Sequence, residues 1–176
     1  MNTPNKLTIL RIIMIPVFMV AYMYLKHNWF TNLLSAAIFA LAFLTDLLDG
    51  YLARKYNQVS DFGKIMDPLA DKVLVAAAMV LLTQAGVVSA WVTVLVLARE
   101  FIVSGVRMAA AAEGNVVAAS IWGKAKTMWQ FIAITLALII NKSNIVIDAC
   151  MLINLVLTVL SGADYIIKNK KYLSLK

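Results

Sequence analysis

Four aspartates stand at the borders of two long apolar segments, and their spacing is suited to binding metal ions. Asp46 and Asp49 lie three residues apart near the end of one segment, and Asp67 and Asp71 lie four apart at the start of the next. Residues at these spacings share one face of an α-helix. A short polar stretch, residues 54–66, joins the two segments, which predicts antiparallel helices with both aspartate pairs at the same end.

Carboxylates that converge in an apolar setting need a counter-charge. Each unpaired one costs about 2–3 kcal/mol or more within a membrane. Divalent cations remove that cost, and oxygen-only ligands suit Mg²⁺, Mn²⁺ or Ca²⁺. Three or four shared carboxylates can hold two ions about 3.5–4 Å apart, an arrangement used in phosphoryl chemistry. The spacing therefore predicts a two-metal site that acts on phosphate.

Small and basic residues accompany the aspartates. Gly50 and Ala53 follow Asp49 by one and four positions, so no bulky side chain blocks that helix face and a ligand can approach the backbone. Gly63 is a further small residue, which we expect in the loop. Arg54 and Lys64 are the basic residues. Positive charge beside the metals favours a phosphate-bearing substrate.

The composition is that of a membrane protein. Hydrophobic residues make up 62% of the 176 residues and charged residues 14%, against about 45–50% and 25% in soluble domains. The mean hydropathy is +0.85. A bilayer span needs about 20 apolar residues. Six such runs occur, at about 9–25, 31–53, 68–85, 88–111, 117–140 and 145–167.

These runs predict an all-α fold, a polytopic membrane bundle of six transmembrane helices that forms one domain over residues 1–176. A short interfacial N-terminal segment is expected to lead into the first span, with Thr3 as its N-cap. Asp67 and Pro68 are expected to start the third span as N-cap and first helical residue. Asp61 is interpreted as a solvated loop residue.

Positive charge is distributed unevenly between the two sides of this predicted bundle. With the N-terminus in the cytoplasm, only Lys26 and Lys142 of the 16 Lys and Arg residues fall on the outer side. This bias places both termini and the aspartates on the cytoplasmic side. The net charge of +7 then indicates contact with anionic membrane lipids. Nucleic acid is a poor fit as a partner, because six spans leave almost no chain for a soluble domain that would carry it.

The segment "TDLLDGYLARKYNQVSDFGKIMDPLAD", residues 45–71, resembles the signature of the CDP-alcohol phosphatidyltransferase family. It matches D-x2-D-G-x2-A-R-x8-G-x3-D-x3-D at all eight fixed positions. The six-span layout is similar to that family as well. The resemblance implies a metal-dependent transfer of a phosphatidyl group from CDP-diacylglycerol to an alcohol with release of CMP, in a homodimer.

The resemblance also implies roles for individual residues. Asp46, Asp49 and Asp67 would bind two ions, Mg²⁺ or Mn²⁺. Asp71 would share one ion and act as general base on the acceptor hydroxyl, which is a plausible task for a carboxylate within reach of it. The positions that line the CDP-diacylglycerol pocket are Asp49, Gly50, Ala53, Arg54 and Gly63.

Three other segments, "PNKLTILRI", "AREFIVSGVR" and "WGKAKT", resemble the bacterial phosphatidylglycerophosphate synthases within that family. This resemblance implies sn-glycerol 3-phosphate as the acceptor and the bacterial cytoplasmic membrane as the location. A phosphorylated acceptor needs its own anion site. The candidates are Arg107 and Lys126, assisted by Lys124, Thr8 and Arg11.

Alternatives remain open at this stage. The same chemistry serves other acceptors, namely phosphatidylglycerol, inositol phosphate or serine. A cation transporter would also place carboxylates in the membrane, but it would need polar residues on the outer halves of the spans, where Asp148 is the only acidic residue. Arg99 and Glu100 are interpreted either as a structural ion pair or as the back wall of a polar cavity.

Overall fold

Six α-helices follow one another along the chain in this computed structural model. The structure describes the backbone of residues 3–25, 28–56, 61–112 and 120–169, and the side chains of these residues outside 3–8, 46–56, 61–69 and 111–112. The helices are α1 (Thr3–Tyr24), α2 (Trp29–Tyr56), α3 (Asp61–Gln84), α4 (Ala90–Ala112), α5 (Ile121–Ile140) and α6 (Ile145–Lys168). No strand occurs in these ranges, which confirms the all-α prediction.

Two of these helices, α5 and α6, are long and apolar enough to cross a bilayer, and α1 and α2 contain shorter apolar stretches at Ile9–Tyr24 and Trp29–Thr45. Large apolar side chains cover much of the surface. Trp91 is 78% exposed, and Ile121 and Ile145 are each 84% exposed. Apolar exposure on this scale marks contact with a membrane or a partner. Crossing by all six helices stays a prediction.

The described helices fall into two compact units, Met1–Val87 with Ile134–Lys142 and Val88–Ala133 with Ser143–Lys176. The first, unit 1, is built around α1, which packs against both α2 and α3. Aromatic rings fill the contact between α1 and α2, where the centroids of Phe18 and Phe39 are 5.9 Å apart. On α3, Leu74 and Leu82 are fully buried. Unit 1 thus holds the helices that carry the aspartate motif.

Hydrogen bonds between uncharged polar groups connect α1, α2 and the end of α5 within unit 1. The Tyr22 hydroxyl donates to Oδ1 of Asn141 at 2.6 Å. Nδ2 of Asn141 lies 3.4 Å from Oδ1 of Asn32, and Nδ2 of Asn32 lies 3.4 Å from the carbonyl oxygen of Ile139. Asn141 adopts φ 44°, a left-handed conformation that asparagine tolerates better than most residues. Asn141 directly follows Ile140, the last residue of α5.

The chain turns directly after α3, and the residues of this turn close the helix. Gly86 adopts φ 70°, its N–H donates to the carbonyl of Thr83 at 3.0 Å, and the N–H of Val87 donates to that of Leu82 at 2.9 Å. These two bonds form a Schellman motif, in which glycine takes the left-handed position without steric cost.

The second unit, unit 2, has a polar interface between α4 and α6, which contact each other. Asn144 caps α6 by accepting from the backbone N–H groups of Val146 and Ile147. The buried face of α6 includes the polar residues Asn154, Thr158, Ser161 and Tyr165. These positions recur at spacings of three or four, so they form one stripe along the helix.

The expected start of the third span is wrong. We predicted a loop over 54–66 with Asp67 as N-cap, whereas α2 continues to Tyr56 and α3 begins at Asp61. Asp61 is therefore the first residue of α3 and does not lie in a loop, and an acidic residue is acceptable in a first turn because it interacts favourably with the helix dipole. Pro68 is accordingly an interior residue of α3.

The N-terminal segment expected at the interface is part of α1, which is helical from Thr3. Pro16 lies within the same helix. The interfacial location of this segment and the single domain over residues 1–176 stay predictions.

Candidate active site

The aspartate motif lies on two helices that contact each other. Asp46 and Asp49 are in the C-terminal half of α2, and Asp67 and Asp71 are in the N-terminal half of α3. Only residues 57–60 separate the two helices, and α2 and α3 are in contact. The backbone therefore carries both aspartate pairs at the end of the helices where the chain passes from α2 to α3.

Because α3 begins at Asp61, this helix contains a further residue of the motif in addition to Asp67 and Asp71. Gly63 lies inside α3, four residues before Asp67 and eight before Asp71, so the three positions share one side of the helix. The expectation that Gly63 lies in the loop is therefore wrong. On α2, Asp46, Asp49 and Ala53 follow each other at three and four residues, which is the same relationship.

Of the motif side chains, the structure describes only that of Asp71, which is half-buried. Ala70 and Leu74, which precede and follow it along α3, are buried. The others, Asp46, Asp49, Gly50, Ala53, Arg54, Gly63 and Asp67, lie outside the described side chains. Among the side chains that are described, no three His, Cys, Asp or Glu residues form a metal-binding group. Carboxylates alone are a suitable donor set for a hard divalent cation, and their convergence stays a prediction.

The cations expected to bind the acceptor phosphate occupy different environments. In unit 2, Arg107 and Lys124 are exposed, while Lys126 is only 1% exposed. In unit 1, Arg11 on α1 is fully buried. The side chain of Thr8 is outside the described ones. Arg107 and Lys124 are thus the two candidates whose charged groups are open to the surface.

An ion pair between buried Lys126 and partly exposed Glu100 links α4 to α5. Nζ of Lys126 donates to Oε1 of Glu100, which also lies 3.5 Å from Nη1 of Arg99. Nη2 of Arg99 donates to Oγ of Ser161 on α6 at 3.0 Å. The ion pair between Arg99 and Glu100, one of the two interpretations left open by the sequence, is therefore present and extends to two further helices.

Sequence analysis missed the pairing of Glu100 with Lys126. The two residues are 26 positions apart, so helical periodicity does not relate them. A usable signal existed, because an acidic residue inside an apolar segment needs a basic partner on a neighbouring helix. The sequence predicted for Lys126 a role in phosphate binding or in the positive charge of the cytoplasmic side, and not a pairing with Glu100.

We expect Glu100→Ala to lower the free energy of unfolding by up to about 3–5 kcal/mol, because it leaves the buried ammonium of Lys126 as an uncompensated charge. The double variant Glu100→Ala/Lys126→Met should recover most of this loss, since it removes the charge as well. Denaturant unfolding in detergent micelles, followed by tryptophan fluorescence, measures both values. A double variant as unstable as Glu100→Ala would show that the ion pair is not the source of the effect.

Comparison with known proteins places the sequence of this chain in a family. The family model for CDP-alcohol phosphatidyltransferases matches residues 1–160. This range covers most of the chain and includes the whole aspartate motif.

Curated relatives are similar over nearly their full length. The CDP-diacylglycerol–glycerol-3-phosphate 3-phosphatidyltransferase of Bacillus subtilis (strain 168) is 40% identical over 96% of this chain and 95% of its own. The proteins of the same name from Rickettsia felis and Salmonella paratyphi A are 40% and 42% identical, over 97% and 94% of this chain, and over 97% and 93% of their own. The chain therefore belongs to the CDP-alcohol phosphatidyltransferase family.

Proposed function

We propose that this protein transfers the phosphatidyl group of CDP-diacylglycerol to sn-glycerol 3-phosphate, giving phosphatidylglycerophosphate and CMP in phospholipid biosynthesis. The observation that carries this function is the similarity to enzymes named for that reaction, at about 40% identity over almost the whole chain. The helical placement of the aspartate motif supports it, because both pairs lie at one end of two contacting helices.

Members of this family generally use a divalent metal ion. We assign Asp46, Asp49, Asp67 and Asp71 as the residues that hold two ions, Mg²⁺ or Mn²⁺. When bound, the ions would neutralise the pyrophosphate and the negative charge that develops on CMP as it leaves.

The remaining roles fall to side chains and backbone of this chain. Asp71 accepts the proton of the acceptor hydroxyl as that oxygen attacks the phosphorus of the phosphatidyl group. The nucleotide diphosphate is bound beside Asp49, Gly50, Ala53 and Gly63, where small residues let it approach the helix backbone. Arg54 donates hydrogen bonds to its phosphates, since a guanidinium matches phosphate geometry.

The acceptor phosphate needs cations apart from the metals. We assign Arg107 as its main contact, because the guanidinium is exposed, and Lys126 as a second positive group held in place by Glu100. Lys124, Thr8 and Arg11 are assigned to the same role on sequence grounds. An acceptor without a phosphate, such as serine, would not need such a set of cations.

The exposed apolar surface and the two bilayer-length helices support association with a membrane. We place the enzyme in the bacterial cytoplasmic membrane as a homodimer, with both termini and the active site on the cytoplasmic side. There, the acyl chains of CDP-diacylglycerol stay in the lipid while its nucleotide remains in water.

The test uses purified protein in detergent with labelled sn-glycerol 3-phosphate, CDP-diacylglycerol and Mg²⁺ or Mn²⁺. We expect CMP release together with labelled phosphatidylglycerophosphate, and we expect EDTA to abolish both until the metal is restored. CMP release only with inositol phosphate, serine or phosphatidylglycerol would refute the acceptor and leave the reaction type intact. No CMP release with any alcohol, from folded protein, would refute the transferase function.

A further inference from the structure

Tyr165 of α6 lies against Arg107 of α4. Cζ of Arg107 is 5.5 Å from the centroid of the Tyr165 ring. The tyrosine is only 3% exposed, whereas Arg107 is exposed. The ring is thus a fixed part of the interior of unit 2, and the guanidinium rests on it at the surface.

The ring of Tyr165 also packs against α4. Tyr165 forms a buried cluster with Val103 and Val106, which lie four residues and one residue before Arg107. The same helix that carries the guanidinium therefore also holds the ring beneath it. The Tyr165 hydroxyl has no hydrogen-bond partner among the described residues.

Arg99, the other arginine of α4, also contacts α6. Oγ of Ser161 accepts from Nη2 of Arg99 at 3.0 Å. Beside it, a Cβ atom on Gly162 would come within 3.1 Å of Cγ of Arg99, so the glycine leaves room for the arginine to lie close to α6. In this way α6 contacts both arginines of α4 through residues of one buried face.

We infer that Tyr165 is a positioning residue for the acceptor phosphate: its ring orients the guanidinium of Arg107. A cation within about 6 Å of an aromatic centroid is attracted to the face of the ring. A guanidinium binds phosphate through two parallel N–H donors, and this requires its plane to be oriented. A ring that restricts the arginine before binding reduces the conformational freedom lost when the phosphate binds.

This inference rests on the proposed function, in which Arg107 contacts the phosphate of sn-glycerol 3-phosphate. It adds a residue of α6 that lies beyond the matched family region, residues 1–160. It also predicts that the contribution of Tyr165 depends on Arg107.

The first experiment measures KM for each substrate in the wild type, Tyr165→Leu and the matched control Tyr165→Phe. Tyr165→Leu should raise KM for sn-glycerol 3-phosphate about 3- to 10-fold. This variant loses the cation–π contact, and the guanidinium of Arg107 is then no longer oriented before the phosphate binds. KM for CDP-diacylglycerol should stay within about 2-fold. Tyr165→Phe keeps the ring and should behave as the wild type. An equal rise in Tyr165→Phe would overturn the role given to the ring.

The second experiment repeats Tyr165→Leu in an Arg107→Ala background. With the guanidinium gone, the leucine should change KM for sn-glycerol 3-phosphate no further. The same fold increase in both backgrounds would overturn the inference, because a general loosening of unit 2 does not need Arg107. If Tyr165→Leu does not fold, Tyr165→Met, with another long apolar side chain, takes its place in both experiments.

Different results would refute the proposed role of Arg107 and the inference about Tyr165. If Arg107→Ala leaves KM for sn-glycerol 3-phosphate unchanged, the proposed role of Arg107 is wrong. If Arg107→Ala raises that KM and Tyr165→Leu does not, only the inference about Tyr165 is wrong.

Discussion

Asp71→Asn is expected to reduce kcat for CMP release by about 100- to 10,000-fold, the range for loss of a general base. Asparagine has nearly the same size and shape as aspartate but cannot take a proton. The half-buried position of Asp71 in α3 should tolerate the change, so the protein should fold. The substitution also removes one of the assigned metal ligands, which lowers activity in the same direction.

A titration with Mn²⁺ separates the loss of the base from the loss of a metal ligand. Activity is measured over a range of Mn²⁺ concentrations, since weaker metal binding is compensated by more metal whereas the loss of a base is not. Asp148→Asn is the matched control, because Asp148 is exposed in the first turn of α6 and has no assigned role. If Asp71→Asn retained more than about a tenth of the wild-type kcat, Asp71 would not be the general base.

Arg107→Ala should raise KM for sn-glycerol 3-phosphate about 10- to 100-fold, since a hydrogen bond to a charged group contributes about 1.5–3 kcal/mol. KM for CDP-diacylglycerol should change little, because its diphosphate is assigned to the metals and Arg54. Steady-state kinetics with each substrate varied in turn measures the two values.

Arg107→Lys tests what the guanidinium adds beyond its charge. Lysine keeps the positive charge but lacks the planar pair of donors, so its KM should lie between those of the wild type and Arg107→Ala. Lys142→Ala, which removes an exposed cation from unit 1, is the control for net charge. Equal increases in both substrate KM values in Arg107→Ala would contradict a site for the acceptor phosphate.

Local signals in the sequence predicted several features of the fold well. Apolar runs indicated six helices, and the described residues contain six. The third apolar run was expected to end at about residue 85, and α3 ends at Gln84. The start of α3 was misplaced, since both Asp61 and the Asp67–Pro68 pair are acceptable helix starts and local preference does not choose between them.

The long-range contacts were harder to predict. The pairing of Glu100 with Lys126 and the placement of Arg107 on Tyr165 depend on how helices pack, which residue spacing does not encode. The polar stripe of α6 was detectable, because its members follow helical periodicity within an apolar segment. That pattern went unused, and it carries the residues that contact both arginines of α4.

The uncharged hydrogen bonds among Tyr22, Asn32 and Asn141 have a consequence for the response to ionic strength. Dissolved salt screens interactions between charges at the surface, and these bonds involve none. Both proposed substrates, by contrast, are anions that bind next to cations. Rising salt should therefore weaken substrate binding before it loosens this end of unit 1. An enzyme inhibited by salt should regain its full activity on dilution.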